Sequence, residues 1–390
     1  MGNAEVNSKR SLLVQGWTGI NHSYAMVNQY QLLELVKDTS IHVWTQEMSL
    51  YDPRWTREKN GSGFSEHESA VLAALPTYTG ANVDAIYRIH SPNTLEESSA
   101  KVITFLVTEF GLDKKSFSET ADIGSYCRND NLIVTPSNWS RDRIVEFGFT
   151  PQNVFVIPHG VDGNKFSPLS ESERLAARNA LGYTSDDIVF LNVGAPIWNK
   201  GMDIVIEAFF TARKTNKNLR LLIKDQQALY GLSALGMVKN LLADGKIELD
   251  NDSVESIRVL PQTLSIEQLR ALYSVADYYL SPYRAEGFNL PVIEAIACGT
   301  KAIVTQGGAT DDFCDANTSI KIPSKLRVGE YIQGTYVGAY REPDTDALVQ
   351  IMIDGAQKSA AAATRAQFGR TNLLEQFNWA RASRLISSLV

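Results

Sequence analysis

The stretch that decides the fold is Ser281-Pro-Tyr-Arg-Ala-Glu-Gly-Phe-Asn-Leu-Pro-Val-Ile-Glu-Ala-Ile-Ala-Cys-Gly299. It follows an apolar run from Val275 to Leu280, which is typical of a buried strand. Asn289 suits the N-cap of a helix, Pro291 is favoured in a first helical turn, and Gly299 suits the left-handed position after the last turn. The segment therefore predicts a strand, a glycine-containing loop and a helix.

The start of this helix predicts an anion site. The backbone amides of Phe288, Asn289 and Leu290 belong to a helix N-terminus, where unpaired N–H groups and the helix dipole favour a phosphate. Glu286 and Glu294 flank that site, and two carboxylates there do not suit a diphosphate alone. Carboxylates accept hydrogen bonds from hydroxyl groups, so one could bind a sugar and the other a ribose. The ligand that this pattern indicates is a nucleotide sugar.

The segment resembles the glutamate pair of the retaining glycosyltransferases of family 4, of the bacterial polysaccharide-biosynthesis type, which have the GT-B fold. The resemblance rests on the core Gly287-Phe-Asn-Leu-Pro-Val-Ile-Glu294-Ala and on three further stretches in the family's order. These are Val134-Thr-Pro-Ser137-Asn-Trp-Ser, Val156-Ile-Pro-His-Gly-Val-Asp162, and Gly194 through Asn199-Lys200-Gly201-Met-Asp-Ile. It covers roughly residues 10 to 390 and is weakest before Asp84.

The resemblance implies an α/β protein with two Rossmann-like domains, whose parallel sheets face each other across a cleft. We expect an N-terminal acceptor domain at residues 1–163 and a C-terminal nucleotide-sugar donor domain at 164–370. A final helix at 371–390 is expected to cross back onto the first domain. The residue pattern agrees, because strand-like apolar runs alternate with helix-like ones, which favours parallel βα units.

Short apolar runs predict the strands of both halves. They are Ser11–Gln15, Ile41–Thr45, Ala85–Ile89, Ile103–Thr108, Leu132–Val134, Val154–Ile157, Ile188–Val193, Leu219–Ile223, Ser256–Val259, Tyr278–Leu280 and Ala302–Thr305. Residues Ser23 to Val36 have helical periodicity. The polar stretch from Tyr51 to Ser69 predicts a long functional loop or a mobile excursion of the chain.

Lys200 is the predicted contact to the donor diphosphate. It follows the strand that ends near Gly194 by a short loop, from which a flexible charged side chain can reach a phosphate. The alternative is an ordinary surface lysine. The resembled family places an arginine directly after the glycine, whereas Ala195 stands here, which weakens the phosphate clamp. Lys224 could replace the missing charge, or it could be a solvated lysine.

The resemblance also assigns the remaining donor contacts. It implies that Glu286 reaches hydroxyls of the transferred sugar and that Glu294 reaches the ribose. The alternative for this pair is an exposed loop acid and an acid that complements a helix dipole. The base is expected against Leu260, at a predicted strand end, held by backbone groups. Gly287 belongs to the same donor loop.

Catalytic candidates come from both halves. His90 follows the strand Ala85–Ile89 and matches a family histidine near the donor sugar, so we expect it in the active site with Lys200 and Glu286. A lone histidine is otherwise more often structural.

The first half also holds candidates for contacts to the phosphates or the acceptor. Gly19 lies in the turn after the first strand and allows the backbone to approach a ligand closely. His22, Thr108 and Glu109 are the acceptor-side candidates, whereas His159 is expected to be structural.

The function that the resemblance implies is hexosyl transfer with retention, from a nucleotide sugar to a saccharide or lipid-linked acceptor in polysaccharide or glycoconjugate synthesis. UDP-glucose is favoured as the family's commonest donor. Retention in this family is attributed to attack from the leaving-group side, with the departing phosphate taking the proton. The protein then has to hold the diphosphate and orient two sugars, so no metal or other cofactor is expected.

Three alternatives stay open. A metal-dependent GT-A transferase would need an Asp-x-Asp pair; Asp250-Asn-Asp252 and Asp344-Thr-Asp346 have that pattern but lie in polar turns. A nucleotide-sugar epimerase on the same fold would isomerise the donor without an acceptor. A non-catalytic sugar-nucleotide-binding scaffold would explain Ala195.

Composition sets the remaining limits. The chain has 390 residues, 44% hydrophobic and 21% charged, which suits about two soluble domains. The net charge is −7 and no basic tract is present, so nucleic acid is not expected as a partner. No apolar run approaches the roughly 18 residues of a membrane span, so we expect a cytoplasmic protein with at most peripheral membrane contact. Cys127, Cys298 and Cys314 lack metal spacing and predict reduced thiols.

Overall fold

The computed structural model of the chain describes residues 9–52, 55–56, 63–94, 98–113, 116–117, 122–332, 335–358 and 370–390. The chain divides into two compact units, one of Met1–Gly160 with Asn378–Val390 and the other of Val161–Phe377. The predicted domain limits lie a few residues away, at positions 163 and 370. Part of the predicted loop between Tyr51 and Ser69 falls outside the described residues, and its last four residues are helical instead, because the helix Glu66–Ala73 starts there with Ser65 as its cap.

The first unit is built on a parallel sheet. Its strands are β1 (Arg10–Gly16), β2 (Ile41–Glu47), β3 (Ala85–Ile89), β4 (Lys101–Phe105), β5 (Leu132–Thr135) and β6 (Val154–Val156). They lie in the order β2-β1-β3-β4-β5-β6. The helices described between them are α1 (Ser23–Leu35), α2 (Glu66–Ala73), α3 (Ile123–Arg128) and α4 (Asn138–Phe147). Consecutive residues Leu12, Leu13 and Val14 are all buried, which requires cover on both faces of the sheet.

The second unit repeats this plan. Its parallel sheet contains β7 (Ile188–Val193), β8 (Leu219–Lys224), β9 (Ile257–Leu260), β10 (Tyr278–Ser281), β11 (Lys301–Thr305) and β12 (Ser319–Ile322), in the order β12-β11-β10-β7-β8-β9. Its helices are α5 (Glu171–Ala180), α6 (Met202–Arg213), α7 (Gln227–Tyr230), α8 (Ala234–Ala243), α9 (Asn251–Glu255), α10 (Ile266–Val275), α11 (Leu290–Ala297), α12 (Thr345–Lys358) and α13 (Arg370–Gln376). An antiparallel hairpin of β13 (Ser324–Ile332) and β14 (Thr335–Pro343) follows β12.

A buried ion-pair cluster fixes the amino end of β10. The guanidinium groups of Arg174 and Arg178, both in α5, lie 3.0 and 3.1 Å from the carboxylate of Asp277. The same carboxylate accepts a hydrogen bond from the backbone N–H of Val189 at 2.8 Å. Since a buried carboxylate is costly without partners, this cluster stabilises α5 against the two central strands.

The last helix, α14 (Trp379–Ser387), packs on the first unit. The ring of Trp379 stacks on Tyr30 of α1 with centroids 4.8 Å apart. The Ser383 hydroxyl donates to the backbone oxygen of Gln31. Gly160 runs so close to this helix that a Cβ atom there would lie 2.2 Å from the Trp379 nitrogen.

One continuous helix over residues 371–390 was predicted, and that prediction is wrong. Two helices occupy the stretch, because α13 ends at Gln376 and Asn378 caps α14 by accepting a hydrogen bond from the backbone N–H of Arg381. Phe377, one of the large apolar residues of this stretch, is buried in the core of the second unit instead.

The sequence predicted eleven of the twelve strands described in the two parallel sheets and missed the hairpin. β3 and β7 match residue for residue, and most others shift by one or two positions. β4 ends at Phe105 rather than Thr108, because the Thr108 hydroxyl forms a turn with Gly111. The run from Val275 is not strand from its start, since Val275 ends α10. β12 and the hairpin were not predicted.

Among the helices of the described residues, none is long and apolar enough to cross a membrane. The cysteines Cys127, Cys298 and Cys314 are all buried and form no disulfide.

Candidate donor site

The second sheet has a topological switch point between β7 and β10. The chain runs outward from β7 through β8 to β9 and then returns to β10 on the other side of β7. In open parallel sheets, ligands bind outside the carboxyl ends of the strands at such a point. The loop after β7 carries Lys200, and the loop after β10 carries Glu286.

Lys200 and Glu286 form an ion pair at this switch point. The Lys200 Nζ donates to the Glu286 Oε1 at 2.6 Å. The glutamate side chain is only 6% exposed, while the lysine side chain is 31% exposed. The structure thus brings two predicted site residues into direct contact and leaves the lysine accessible from solvent.

The two loops also meet through their backbones. Gly201 has φ +70°, and a Cβ atom there would lie 2.1 Å from the Pro282 carbonyl oxygen, so only glycine fits. The carbonyl oxygen of Asn199 accepts hydrogen bonds from the N–H groups of Arg284 at 2.7 Å and Ala285 at 3.1 Å. These contacts fix where Lys200 and Glu286 leave their loops.

Arg284 is a site-supporting residue that the sequence interpretation missed. Its guanidinium donates to both carboxylate oxygens of Asp203, at 2.9 and 2.8 Å, and to Glu342 Oε1 at 3.2 Å. The side chain is 10% exposed. The sequence held a signal, because Arg284 stands between the predicted strand Tyr278–Leu280 and Glu286, and a buried arginine is normally paired.

The helix that follows the loop starts in a special backbone conformation. Asn289 has φ +78° and stands at the N-cap of α11, but the predicted capping by its side chain is wrong: its amide donates to the Ser281 hydroxyl at 2.9 Å. Gly287, Phe288 and Asn289 are all buried, and Leu290 begins the helix. Gly299 has φ +81°, which confirms the predicted left-handed position after the helix.

Glu294 lies in the second turn of α11 and is partly buried. The Tyr273 hydroxyl donates to its Oε2 at 2.7 Å. Burial raises the pKa of Glu294 to about 7, although the bond from Tyr273 acts in the opposite direction. The carboxyl is therefore poised near neutrality, where added hydroxyl donors would favour its charged form.

Lys224 ends β8, with Val193 of β7 on one side and Leu260 of β9 on the other. Its side chain is 8% exposed, and its ammonium donates to the backbone oxygen of Asp225. Burial lowers the pKa of Lys224, although Asp225 opposes the shift. Lys224 and Leu260 thus share the carboxyl edge of the sheet, while contacts to a phosphate and to a base stay predictions.

His90 follows β3 in the first unit and is 5% exposed. Its Nε2 is buried and has no hydrogen-bond partner among the described residues. Burial and the nearby charge of Arg88 lower the pKa of His90 to about 4, although a hydrogen bond to the backbone of Pro92 acts in the opposite direction. The imidazole is therefore neutral at physiological pH.

Gly19 and His22 lie in the turn after β1. Gly19 has φ +68°, and its N–H donates to the Gln29 side-chain oxygen at 3.3 Å. His22 caps α1 by accepting a hydrogen bond from the N–H of Tyr24, and its ring lies 4.9 Å from that of Trp55. Trp55 was not singled out from the sequence.

The other histidine and acceptor-side candidates of the first unit contact residues of that unit. The Thr108 hydroxyl exchanges hydrogen bonds with the backbone of Gly111, and the backbone oxygen of Glu109 accepts from the Trp139 indole at 2.6 Å. His159 is buried between the rings of Phe105 and Trp379. Contacts from Thr108 and Glu109 to an acceptor stay predictions.

Both Asp-x-Asp pairs begin helices. Asp250 caps α9 by accepting the N–H of Ser253 at 2.7 Å, and Asp344 accepts the N–H of Ala347 at the start of α12 at 3.0 Å. Capping accounts for these aspartates, as expected from their polar turns.

The family match lies within the second unit. Residues 173–325 match the family described as glycosyl transferases group 1. The matched stretch contains both central loops of the candidate donor site. A D-inositol 3-phosphate glycosyltransferase of Geodermatophilus obscurus is 27% identical over 258 residues, which cover 61% of this chain and 55% of that protein. A mannosylfructose-phosphate synthase of Agrobacterium fabrum is 26% identical over 182 residues, covering 46% of this chain and 39% of that protein.

The chain spans about half the length of these relatives or less. Solved structures cover it more fully. A sucrose-phosphate synthase of Thermosynechococcus elongatus aligns over 98% of both chains with a TM-score of 0.65 at 17% identity. Anabaena HepE, solved with UDP and glucose, aligns over 97% of this chain and 99% of its own with a TM-score of 0.65 at 13% identity. The predicted two-domain α/β GT-B fold is thereby confirmed.

The raised pKa of Glu294 predicts a pH dependence of stability. A glutamate in the unfolded chain has a pKa of about 4.3, whereas that of Glu294 in the folded chain is about 7. The protonated carboxyl therefore contributes fully to the free energy of unfolding below about pH 4.3, and this contribution is lost as the pH rises to about 7. Between about pH 5 and about pH 8, the free energy of unfolding should therefore fall for the wild type relative to Glu294→Gln, by on the order of 2 kcal/mol. Urea unfolding at several pH values measures this difference, with the exposed Glu248→Gln as the control. Parallel pH profiles for wild type and Glu294→Gln would contradict the assignment.

Proposed function

We propose that the chain is a retaining glycosyltransferase that moves a hexose from a nucleotide sugar to a saccharide or lipid-linked acceptor. The observation that carries the proposal is the Lys200–Glu286 ion pair at the switch point of the second sheet. A lysine charge there suits a diphosphate, and a buried carboxylate suits sugar hydroxyls. The match to glycosyl transferases group 1 over the same loops supports the class of reaction.

UDP-glucose is the donor we favour. HepE, whose fold resembles that of this chain, has been solved with UDP-glucose and with UDP. In the proposed mode, Glu294 binds the ribose hydroxyls, the diphosphate lies between Lys200 and the start of α11, and the base lies near Leu260. Lys224 stands at the same edge and is available to contact the phosphates if its ammonium leaves the Asp225 carbonyl.

The chemical task of these residues is electrostatic. As the bond between the hexose and the diphosphate breaks, negative charge grows on the leaving phosphate, and Lys200 is placed to stabilise it. Glu286 orients the hexose and holds Lys200 in position until the donor binds. The departing phosphate takes the proton of the attacking hydroxyl, so the scheme needs neither a protein nucleophile nor a metal. Activity that survives EDTA is expected.

The first unit would supply the acceptor side. The neutral imidazole of His90 offers its Nε2 lone pair to a hydroxyl donor, which fits contact with a sugar. Gly19 is proposed to contact the donor, and His22, Thr108 and Glu109 are the acceptor-side candidates in that unit.

The choice of donor base can be tested by binding. Calorimetry on the wild-type chain should show UDP binding more tightly than GDP or ADP, because UDP-glucose is the favoured donor and HepE, of similar fold, has been solved with UDP. Tighter binding of GDP would contradict the choice of UDP. A panel of nucleotide sugars with product analysis, with and without acceptor, then separates transfer from epimerisation.

Lys200→Ala should reduce turnover by more than its loss of stability explains, since it also leaves the buried Glu286 carboxylate without its partner. One charge-assisted contact to a leaving diphosphate contributes on the order of 3 kcal/mol in a preorganised site, which is about a hundredfold in rate. The control is Lys214→Ala, whose side chain is 66% exposed and pairs with Glu248 at 3.0 Å in the same unit. Turnover of Lys200→Ala equal to that of the control would remove Lys200 from the mechanism.

The two glutamates should fail in different ways. Glu294→Gln should weaken the binding of UDP alone, since its proposed partner is the ribose. Glu286→Gln should lower sugar transfer and change UDP affinity less than Glu294→Gln does, since its proposed partner is the hexose and it reaches the diphosphate only through Lys200. A charged hydrogen bond contributes about 1.5–3 kcal/mol, so each loss should be roughly tenfold or more. Calorimetry and initial rates measure both, and equal loss of UDP binding in the two variants would refute the division of roles.

A further inference from the structure

The hairpin of β13 and β14 contacts both loops of the donor site from outside the matched stretch. The family match ends at residue 325, the second residue of β13, so nearly all of the hairpin lies beyond it. The base of the hairpin nevertheless packs against the loops that carry Lys200 and Glu286, through Tyr340, Arg341 and Glu342.

The contact to the Glu286 loop runs through Arg284. The backbone N–H of Arg341 donates to the Arg284 carbonyl at 2.8 Å, and the Glu342 carboxylate lies 3.2 Å from the Arg284 Nε. The Arg284 guanidinium also binds both oxygens of Asp203, in the first turn of α6. A single guanidinium therefore joins the hairpin, its own loop and the helix that follows Lys200.

The contact to the Lys200 loop runs through Trp198. Its ring meets the Tyr340 ring edge-on with centroids 4.9 Å apart, and the Arg284 guanidinium lies over it at 5.2 Å. The Arg284 Nη1 also donates to the Trp198 carbonyl at 2.9 Å. Trp198 precedes Lys200 by two residues, just as Arg284 precedes Glu286 by two.

We propose that the hairpin base is a positioning element of the donor site, in which Glu342 acts through Arg284 to hold Glu286 against Lys200. This inference rests on the proposed function of that ion pair. Glu342 and Arg284 are positioning residues, since neither has to touch the substrate. Asp203 anchors the guanidinium from one side and Glu342 from the other, so neutralising Glu342 weakens one of the two charged anchors and leaves the Asp203 pair in place.

Glu342→Gln tests this arrangement. The Glu342 side chain is 35% exposed, so the variant should fold. Arg284 keeps its ion pair with Asp203 in this variant. We expect kcat to fall about tenfold, because small displacements of positioned groups have large effects on rate, while the affinity for free UDP stays within about twofold. Arg174→Lys is the matched control: it weakens the Asp277 cluster of the same unit at the amino end of β10 and should lower the melting temperature without changing kcat.

A second measurement does not depend on turnover. Competitive acetylation followed by peptide mass spectrometry reports the reactivity of Lys200 relative to exposed Lys214 in the same sample. Glu342→Gln should raise that ratio severalfold, because Glu286 no longer holds the ammonium, whereas Arg174→Lys should leave it unchanged.

The outcomes separate the two proposals. If Glu342→Gln has the kcat and the Lys200 acetylation ratio of the wild type, the positioning role is overturned. It is also overturned if Glu342→Gln and Arg174→Lys lose the same melting temperature and show equal changes in kcat and in that ratio. If the wild type transfers no sugar from any donor, the proposed function fails, and the Lys200 acetylation ratio still decides whether Glu342 positions the pair.

Discussion

The 2.6 Å ion pair between Lys200 and Glu286 is the interaction on which the rest of the donor site depends. A carboxylate that is 6% exposed is costly to bury, and a partner of opposite charge offsets only part of that cost. Such a pair contributes little to stability. Its effect is to place an ammonium that suits a diphosphate beside a carboxylate that suits sugar hydroxyls. The close approach of Gly201 to Pro282 serves the same placement, since any side chain there would separate the two loops.

The buried parts of the fold could be predicted from the sequence because burial leaves a local pattern. β3 and β7 are apolar runs with clear ends, and they match residue for residue. The hairpin was not predicted, although Lys325-Leu-Arg-Val328 alternates charged and apolar residues; Leu326 and Val328 are themselves exposed, so this alternation marks no buried face. The break between α13 and α14 at Phe377 was missed for a different reason. The Phe377 ring belongs to the core of the second unit, whereas α14 belongs to the first, and helical propensity does not show to which unit a residue belongs.

The same limit applies to the site. Lys200, Glu286 and Glu294 could be selected because their spacing relative to strand ends and a helix start is local. The role of Arg284 depends on Asp203 and Glu342, which lie far away in the chain. The raised pKa of Glu294 likewise depends on surroundings that only the folded chain provides, and so does the αL conformation at Asn289.

A structure of the chain with UDP bound would test the proposed donor mode. The diphosphate should contact the Lys200 ammonium and the first backbone amides of α11, and the ribose hydroxyls should bond the Glu294 carboxylate. Glu286 should keep a free carboxylate oxygen facing the position of the hexose. A nucleotide bound elsewhere on the second unit, with the Lys200–Glu286 pair undisturbed and solvent-facing, would contradict this mode.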